Sequence, residues 1–173
     1  MVAGLRTARA LHDPQLHFSQ IKERAETFCW TEALDRRADA WVAAQMVGWV
    51  EEVNKGLGGL SRNEVGRLLN ARFGLSWGLA RVMTLHQRIL VRSDNTFYEQ
   101  LGEALGEDSA WMALCRRAFG LISEVKGEPL HDHVRAGLAL YAMTAAMVNP
   151  TLGESQAELI EVTVKRIEAA LRE

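Results

Sequence analysis

Glu51 and Lys55 stand four residues apart in the run Glu51-Glu52-Val53-Asn54-Lys55, a spacing that puts both on one face of a helix. A carboxylate held beside an ammonium can accept a proton from a substrate hydroxyl while the lysine steadies an anion. Ala40, Ala44 and Gly48 share that face and are small, leaving room for a ligand or another surface. Glu52 is the neighbouring carboxylate, at the edge of the apolar stripe. The same spacing also describes an ordinary solvated ion pair, and on the residues alone both readings stand.

Other residues could do chemistry less directly. His131 and His133 flank Asp132, but two residues along a helix turn the rings about 200° apart, which chelates poorly. The five tryptophans, Trp30, Trp41, Trp49, Trp77 and Trp111, read mainly as core anchors, with one or two free to line a sugar-binding cleft; Trp49 and Trp77 are the candidates. Cys29 and Cys115 fit neither a disulfide framework nor a metal-ligand spacing and read as free thiols. No glycine-rich phosphate loop, nucleophile elbow or His-Glu-x-x-His is present. No Asp-x-Asp pair exists to hold magnesium, so the chain alone lacks the means to activate a nucleotide.

Arg81 and His86 form an Arg-x-x-x-x-His spacing that resembles the ribonuclease motif of HEPN helical domains, although Val82 follows the arginine where that family favours a polar residue. The alternative is a histidine satisfied at a helix interface.

The elements that must position these residues are helical. The 173 residues carry 48% hydrophobic and 24% charged side chains and a net charge of −2, an ordinary globular balance that excludes disorder of the whole chain. It makes no electrostatic case for nucleic acid or an acidic membrane. The most apolar run, residues 136–148, is shorter than the roughly 20 residues a bilayer requires, and no leader is read in residues 1–10, so a cytoplasmic location is expected. Residues 1–13 read as an arm and 14–173 as one bundle domain, with Asp13 capping a helix from Pro14 to about Phe28. A long helix is expected from Thr31 to about Lys55, ended by Gly56, Gly58 and Gly59. Its stripe is Leu34, Ala38, Trp41, Val42, Met46, Trp49 and Val53. Ser61 and Glu64 suggest a capping box for a helix to Arg72, with Gly74 breaking the chain before the next. Further helices follow from Asp94 or Asn95, from Glu107 to Gly120, from Leu130 to Val148 after a polar loop at Lys126–Pro129, and from Glu154 to Arg172, with Leu159, Val162, Ile167 and Leu171 inward. The expected fold is an all-α, up-and-down bundle of about seven helices.

Taken with Leu85-His86-Gln87-Arg88-Ile89, about thirty residues further on, the Glu-x-x-x-Lys run resembles the helical C-terminal domain of the aminoglycoside nucleotidyltransferases of the kanamycin type. The likeness covers Val47–Phe119. Arg9-Ala10-Leu11-His12-Asp13-Pro14 is similar to the junction at which that family passes from catalytic to helical domain. The catalytic domain's Gly-Ser turn and Asp-x-Asp have no match. The resemblance implies a substrate-binding domain in which Glu51 is general base for the acceptor hydroxyl and Lys55 contacts phosphate; Glu52, Trp49 and Trp77 are the further substrate-binding candidates read from the residues themselves. It implies a hydroxylated or amino-sugar acceptor, and no cofactor for this chain alone; magnesium and a nucleoside triphosphate would come with a catalytic domain. A homodimer or a nucleotidyltransferase-domain partner is expected to cover apolar surface. The alternatives are a HEPN-like ribonuclease or toxin–antitoxin component acting through Arg81 and His86, or a dimerisation module left from a truncated enzyme. Purified chain given magnesium and ATP should transfer no nucleotide to an aminoglycoside; turnover above background would overturn that expectation.

Overall fold

The computed structural model describes residues 2–122 and 129–172. Among these the chain is helical and contains no strand: α1 (Val2–Thr7), α2 (His17–Glu26), α3 (Glu32–Gly48), α4 (Val50–Arg62), α5 (Val65–His86), α6 (Phe97–Leu105), α7 (Ala110–Phe119), α8 (Pro129–Val148) and α9 (Glu154–Arg172), with a 3₁₀ turn at Asn149–Thr151. The fold is the all-α bundle expected from the periodicity. α5 packs against α3, α4, α6, α7 and α8, and α9 lies against α3, α4 and α8. No helix of the described residues is long and apolar enough to cross a membrane.

Caps set several of the boundaries. Thr31 accepts from the Leu34 amide at the start of α3, with Glu32 and Asp35 in the first turn where the helix dipole favours them. Ser109 does the same for α7, and Gly120, at φ 79, ends it in the left-handed conformation that glycine adopts freely. The core between them holds Val42, Met46, Leu75, Leu79, Leu101 and Leu138 without exposure. Two of its buried polar groups pair across helices: the Tyr141 hydroxyl donates to the Met46 carbonyl at 2.9 Å, and the Trp111 indole donates to the Thr144 hydroxyl at 2.9 Å.

Glycine accounts for the main departures from the expected elements. Gly56, Gly58 and Gly59 do not end a helix; they lie inside α4, which stops at Asn63 in the left-handed region. Ser61 is therefore in the last turn of α4 and bonds the Gly58 carbonyl, and Glu64 makes no side-chain cap, so the capping box does not form. Gly74 does not break the chain either, because α5 is continuous through it. A Cβ at Gly74 would meet the side chain of Glu52, and one at Gly78 would overlap the indole of Trp49. These glycines let α4 lie close against α5. The long helix expected from Thr31 to Lys55 divides at Trp49 into α3 and α4.

Smaller differences have local causes. α2 begins at His17, after a turn at Pro14 and a left-handed Leu16. Asp13 still caps it, accepting from the amides of Phe18 at 3.2 Å and Ser19 at 2.9 Å. The expected arm contains α1, which packs on α2 and whose Arg6 donates to the Ala25 and Phe28 carbonyls at the end of α2. α9 turns Ile160, Thr163 and Ile167 inward and leaves Leu159 and Val162 exposed. The polar loop expected at Lys126–Pro129 lies outside the described residues except for Pro129, the first residue of α8.

His133, on α8, is 8% exposed and neither ring nitrogen finds a hydrogen-bond partner. Burial pushes its pKa below the ordinary 6.5; the charges of Arg72 and Arg117 act the same way and Asp132 opposes them. His86 is lowered likewise, by burial and then by Arg88, against Asp39. Groups whose folded pKa is depressed in this way are neutral in the fold and take up protons on unfolding. Stability is therefore full above about pH 6.5 and falls as pH drops toward the folded values. Chemical denaturation between pH 7 and pH 5 should show that decline, with a shallower slope in His133→Gln; a flat profile would contradict it.

Candidate functional site

The expected site residues fall into separate places. On α4, Lys55 bridges both glutamates, with Nζ 2.8 Å from Glu51 Oε1 and 2.7 Å from Glu52 Oε1. The Glu51 side chain is 75% exposed, whereas that of Glu52 is 15% exposed, pressed against α5 at Gly74 with Oε2 buried and without a partner. The hydrogen bond from Lys55, and then its charge, hold the Glu51 carboxyl below its usual range, while the bonds to Glu51 and Glu52 raise Lys55. A carboxylate so stabilised, with a lone pair committed to an ammonium, is a weakened base. Trp49 is a wedge: its indole fills the space over Gly78 and its Nε1 is buried without a partner. The geometry here is that of a surface ion pair above a tight helix contact.

At the end of α5, Arg88 takes a left-handed backbone (φ 56) and reaches back to α3. Its guanidinium bonds Asp35 at 2.6 Å and Asp39 at 2.7 Å and lies 5.5 Å from the Trp30 ring centre, while the Trp30 indole donates to the Arg88 carbonyl. The arginine of Leu85-His86-Gln87-Arg88 is thus a clamp between α3 and the turn after α5. His86, beside it, has Nδ1 buried without a partner.

The turn that Arg88 clamps helps build an open cleft of about 740 Å³, walled by Trp41 of α3, by Trp77, Arg81, Thr84 and Leu85 of α5, by Ile89, Val91 and Asp94 of the connection, and by Phe97 of α6. Trp77 is 48% and Trp41 40% exposed, high values for aromatic side chains of this size. Trp77 stacks on Phe97 with ring centres 5.6 Å apart and meets Phe119 edge-on at 5.1 Å, so its remaining face is held in place. Thr84 spends its hydroxyl hydrogen on the Ala80 carbonyl at 2.8 Å. Arg81 and Asp94 make no ion pair or hydrogen bond with the described residues. The cleft can accept a flat apolar group and offers an uncommitted guanidinium and carboxylate beside it.

From the cleft an apolar row runs along α5: Trp77, Phe73, Leu69 and Val65, four residues apart and all exposed. Leu121 and Ile122, just past α7, are exposed as well. Of the site residues expected from the sequence, Trp77 and Arg81 meet in the cleft, Trp49, Glu51, Glu52 and Lys55 gather on α4, and His86 lines neither. Sequence reasoning missed Trp41 and Phe97 as lining residues, because their helical spacing assigns both to apolar stripes. Among the described residues no group of three or more His, Cys, Asp and Glu side chains is placed to hold a metal ion.

Comparison of the chain with protein families, with curated proteins and with solved structures found no match.

The Arg88 clamp separates two contributions that substitution can resolve. Arg88→Ala removes two charge-assisted bonds and keeps the left-handed strain, and should lower unfolding free energy by about 2–3 kcal/mol. Arg88→Gly loses the same bonds but adopts φ 56 freely, and should be about 1 kcal/mol less damaging. Equal losses in urea unfolding would show that the backbone there is unstrained.

Proposed function

We propose that this chain is an acceptor-binding helical domain that seats its ligand in the cleft between α3, α5 and α6 and relies on a separate nucleotidyltransferase domain for chemistry. The observation that carries the binding role is the cleft itself, lined by two half-exposed tryptophans and by an arginine without an ion pair among the described residues. The nucleotidyltransferase connection is supported by the Glu-x-x-x-Lys and Leu-His-x-Arg motifs. Magnesium and a nucleoside triphosphate would arrive with the partner domain. Val65, Leu69 and Phe73 supply an apolar surface on which such a domain would dock beside the cleft mouth. The ribonuclease reading draws no support from the geometry: Arg81 opens into the cleft and His86 does not line it.

The acceptor seat is tested by nuclear magnetic resonance with the indole N–H signals as reporters and a panel of ring-containing hydroxylated compounds as ligands. Binding should shift the Trp41 and Trp77 signals and leave Trp111 in place. Loss of the ring face in Trp77→Ala should weaken binding by about tenfold, while Glu51→Gln stays within about twofold, as for a side chain outside the seat. Shifts centred on Glu51 and Lys55 would move the seat to α4.

A further inference from the structure

We infer that the cleft selects a flat, mostly apolar ligand carrying a single negative charge, an aryl carboxylate in kind, over the amino-sugar class. This rests on the cleft being the acceptor seat. Six lining side chains, Trp41, Trp77, Leu85, Ile89, Val91 and Phe97, present carbon, which favours a ring system with few polar substituents. A volume of about 740 Å³ accommodates a ligand of two or three rings. The Trp77 face is fixed by Phe97 and Phe119 before any ligand arrives, so stacking on it freezes little.

The polar lining decides the charge. Thr84 has committed its only hydrogen to Ala80 and can offer a lone pair alone. Arg81, which makes no hydrogen bond or ion pair with the described residues, is the lining cation in a largely aromatic setting. A planar guanidinium meets a carboxylate through two parallel hydrogen bonds, which a neutral sugar hydroxyl cannot match. A polycationic amino sugar would meet repulsion from Arg81 and find one carboxylate, Asp94, for all its ammonium groups. Asp94 also sets the upper limit: a second negative charge on the ligand would share the cleft with it. One charge beside Arg81, and none beside Asp94, is the complementary pattern.

The experiment uses the full chain and three probes of one ring system, naphthoate, naphthylmethylammonium and naphthalene dicarboxylate, titrated calorimetrically and by indole resonance shifts. Naphthoate should bind the Trp41–Trp77 site about tenfold more tightly than the ammonium probe, the size of one exposed charge-assisted contact. Arg81→Gln, an exposed change that breaks no bond in the fold, should remove that advantage. Asp94→Asn should strengthen the dicarboxylate more than naphthoate. Naphthoate affinity unaffected by Arg81→Gln, or tighter binding of the ammonium probe at the same indoles, would overturn the charge assignment while leaving the cleft as the seat. Failure of every probe to move the Trp41 and Trp77 signals would overturn both.

Discussion

The contact of α4 with α5 across Gly74 and Gly78 is the constraint on which the remaining packing depends. Glu52 and Trp49, three residues apart on one side of α4 and its entry, press into the positions where α5 has no side chains. α5 in turn touches α3, α6, α7 and α8, so any displacement of α4 must be absorbed by the helix that the others share. The contact brings a carboxylate into a poorly hydrated place, with Glu52 Oε2 unpartnered. Burying a charge is tolerated only where an opposite charge accompanies it. Lys55 is that companion, and the bond to Glu51 is the second it makes. In this fold the glutamate that Lys55 serves structurally is Glu52, and Glu51 is the exposed one of the pair.

The same continuity of α5 makes the cleft. Because no break occurs at Gly74, Trp77, Arg81 and Leu85 follow one another at four-residue steps down a single wall. The chain must then reverse to provide the opposite wall, and it does so at Arg88, whose left-handed backbone starts the turn and whose side chain ties it to Asp35 and Asp39 of α3. Ile89, Val91, Asp94 and Phe97 come back along the cleft from there. Trp41 completes it from α3, the helix that the clamp holds. Arg88 thus adds an ion-paired tie between α3 and the connection after α5, and α3 and α5 also pack on each other directly.

Hydrophobic period and caps carried the all-α fold a long way from the sequence. α9 occupies Glu154–Arg172 as expected, and Gly120 ends α7 as expected, although that helix starts at Ala110 after the Ser109 cap rather than at Glu107. Glycine was not legible, because the residue that ends a helix and the residue that admits a neighbouring helix are the same residue, and the difference is a tertiary contact. The inward face of α9 was missed for a related reason: Thr163 is buried because its hydroxyl bonds the Leu159 carbonyl within the helix, which hides a polar side chain from a hydrophobicity count. The cleft was half legible. Trp77 and Arg81 stood out for unrelated motifs, and nothing in their spacing brings them to Phe97, since that depends on the reversal at Arg88. Trp41 reads as core by period alone, yet it is 40% exposed in α3 beside the buried Val42.

What the cleft contains bears on what must come from elsewhere. Proton transfer needs a group with an accessible lone pair or hydrogen in reach of the reacting atom. Of the lining side chains, Thr84 has given up its hydrogen, Arg81 offers donors alone, and Asp94 is solvent-exposed. These groups can orient a ligand more readily than they can transform it. The apolar row from Val65 to Trp77 extends about 18 Å along α5 and ends at the cleft. A domain seated on that row would bring its own catalytic groups to the cleft mouth and would cover Phe73 and Leu69 in the same movement. Trp77 belongs to both the cleft and the row, so the two surfaces are continuous on α5.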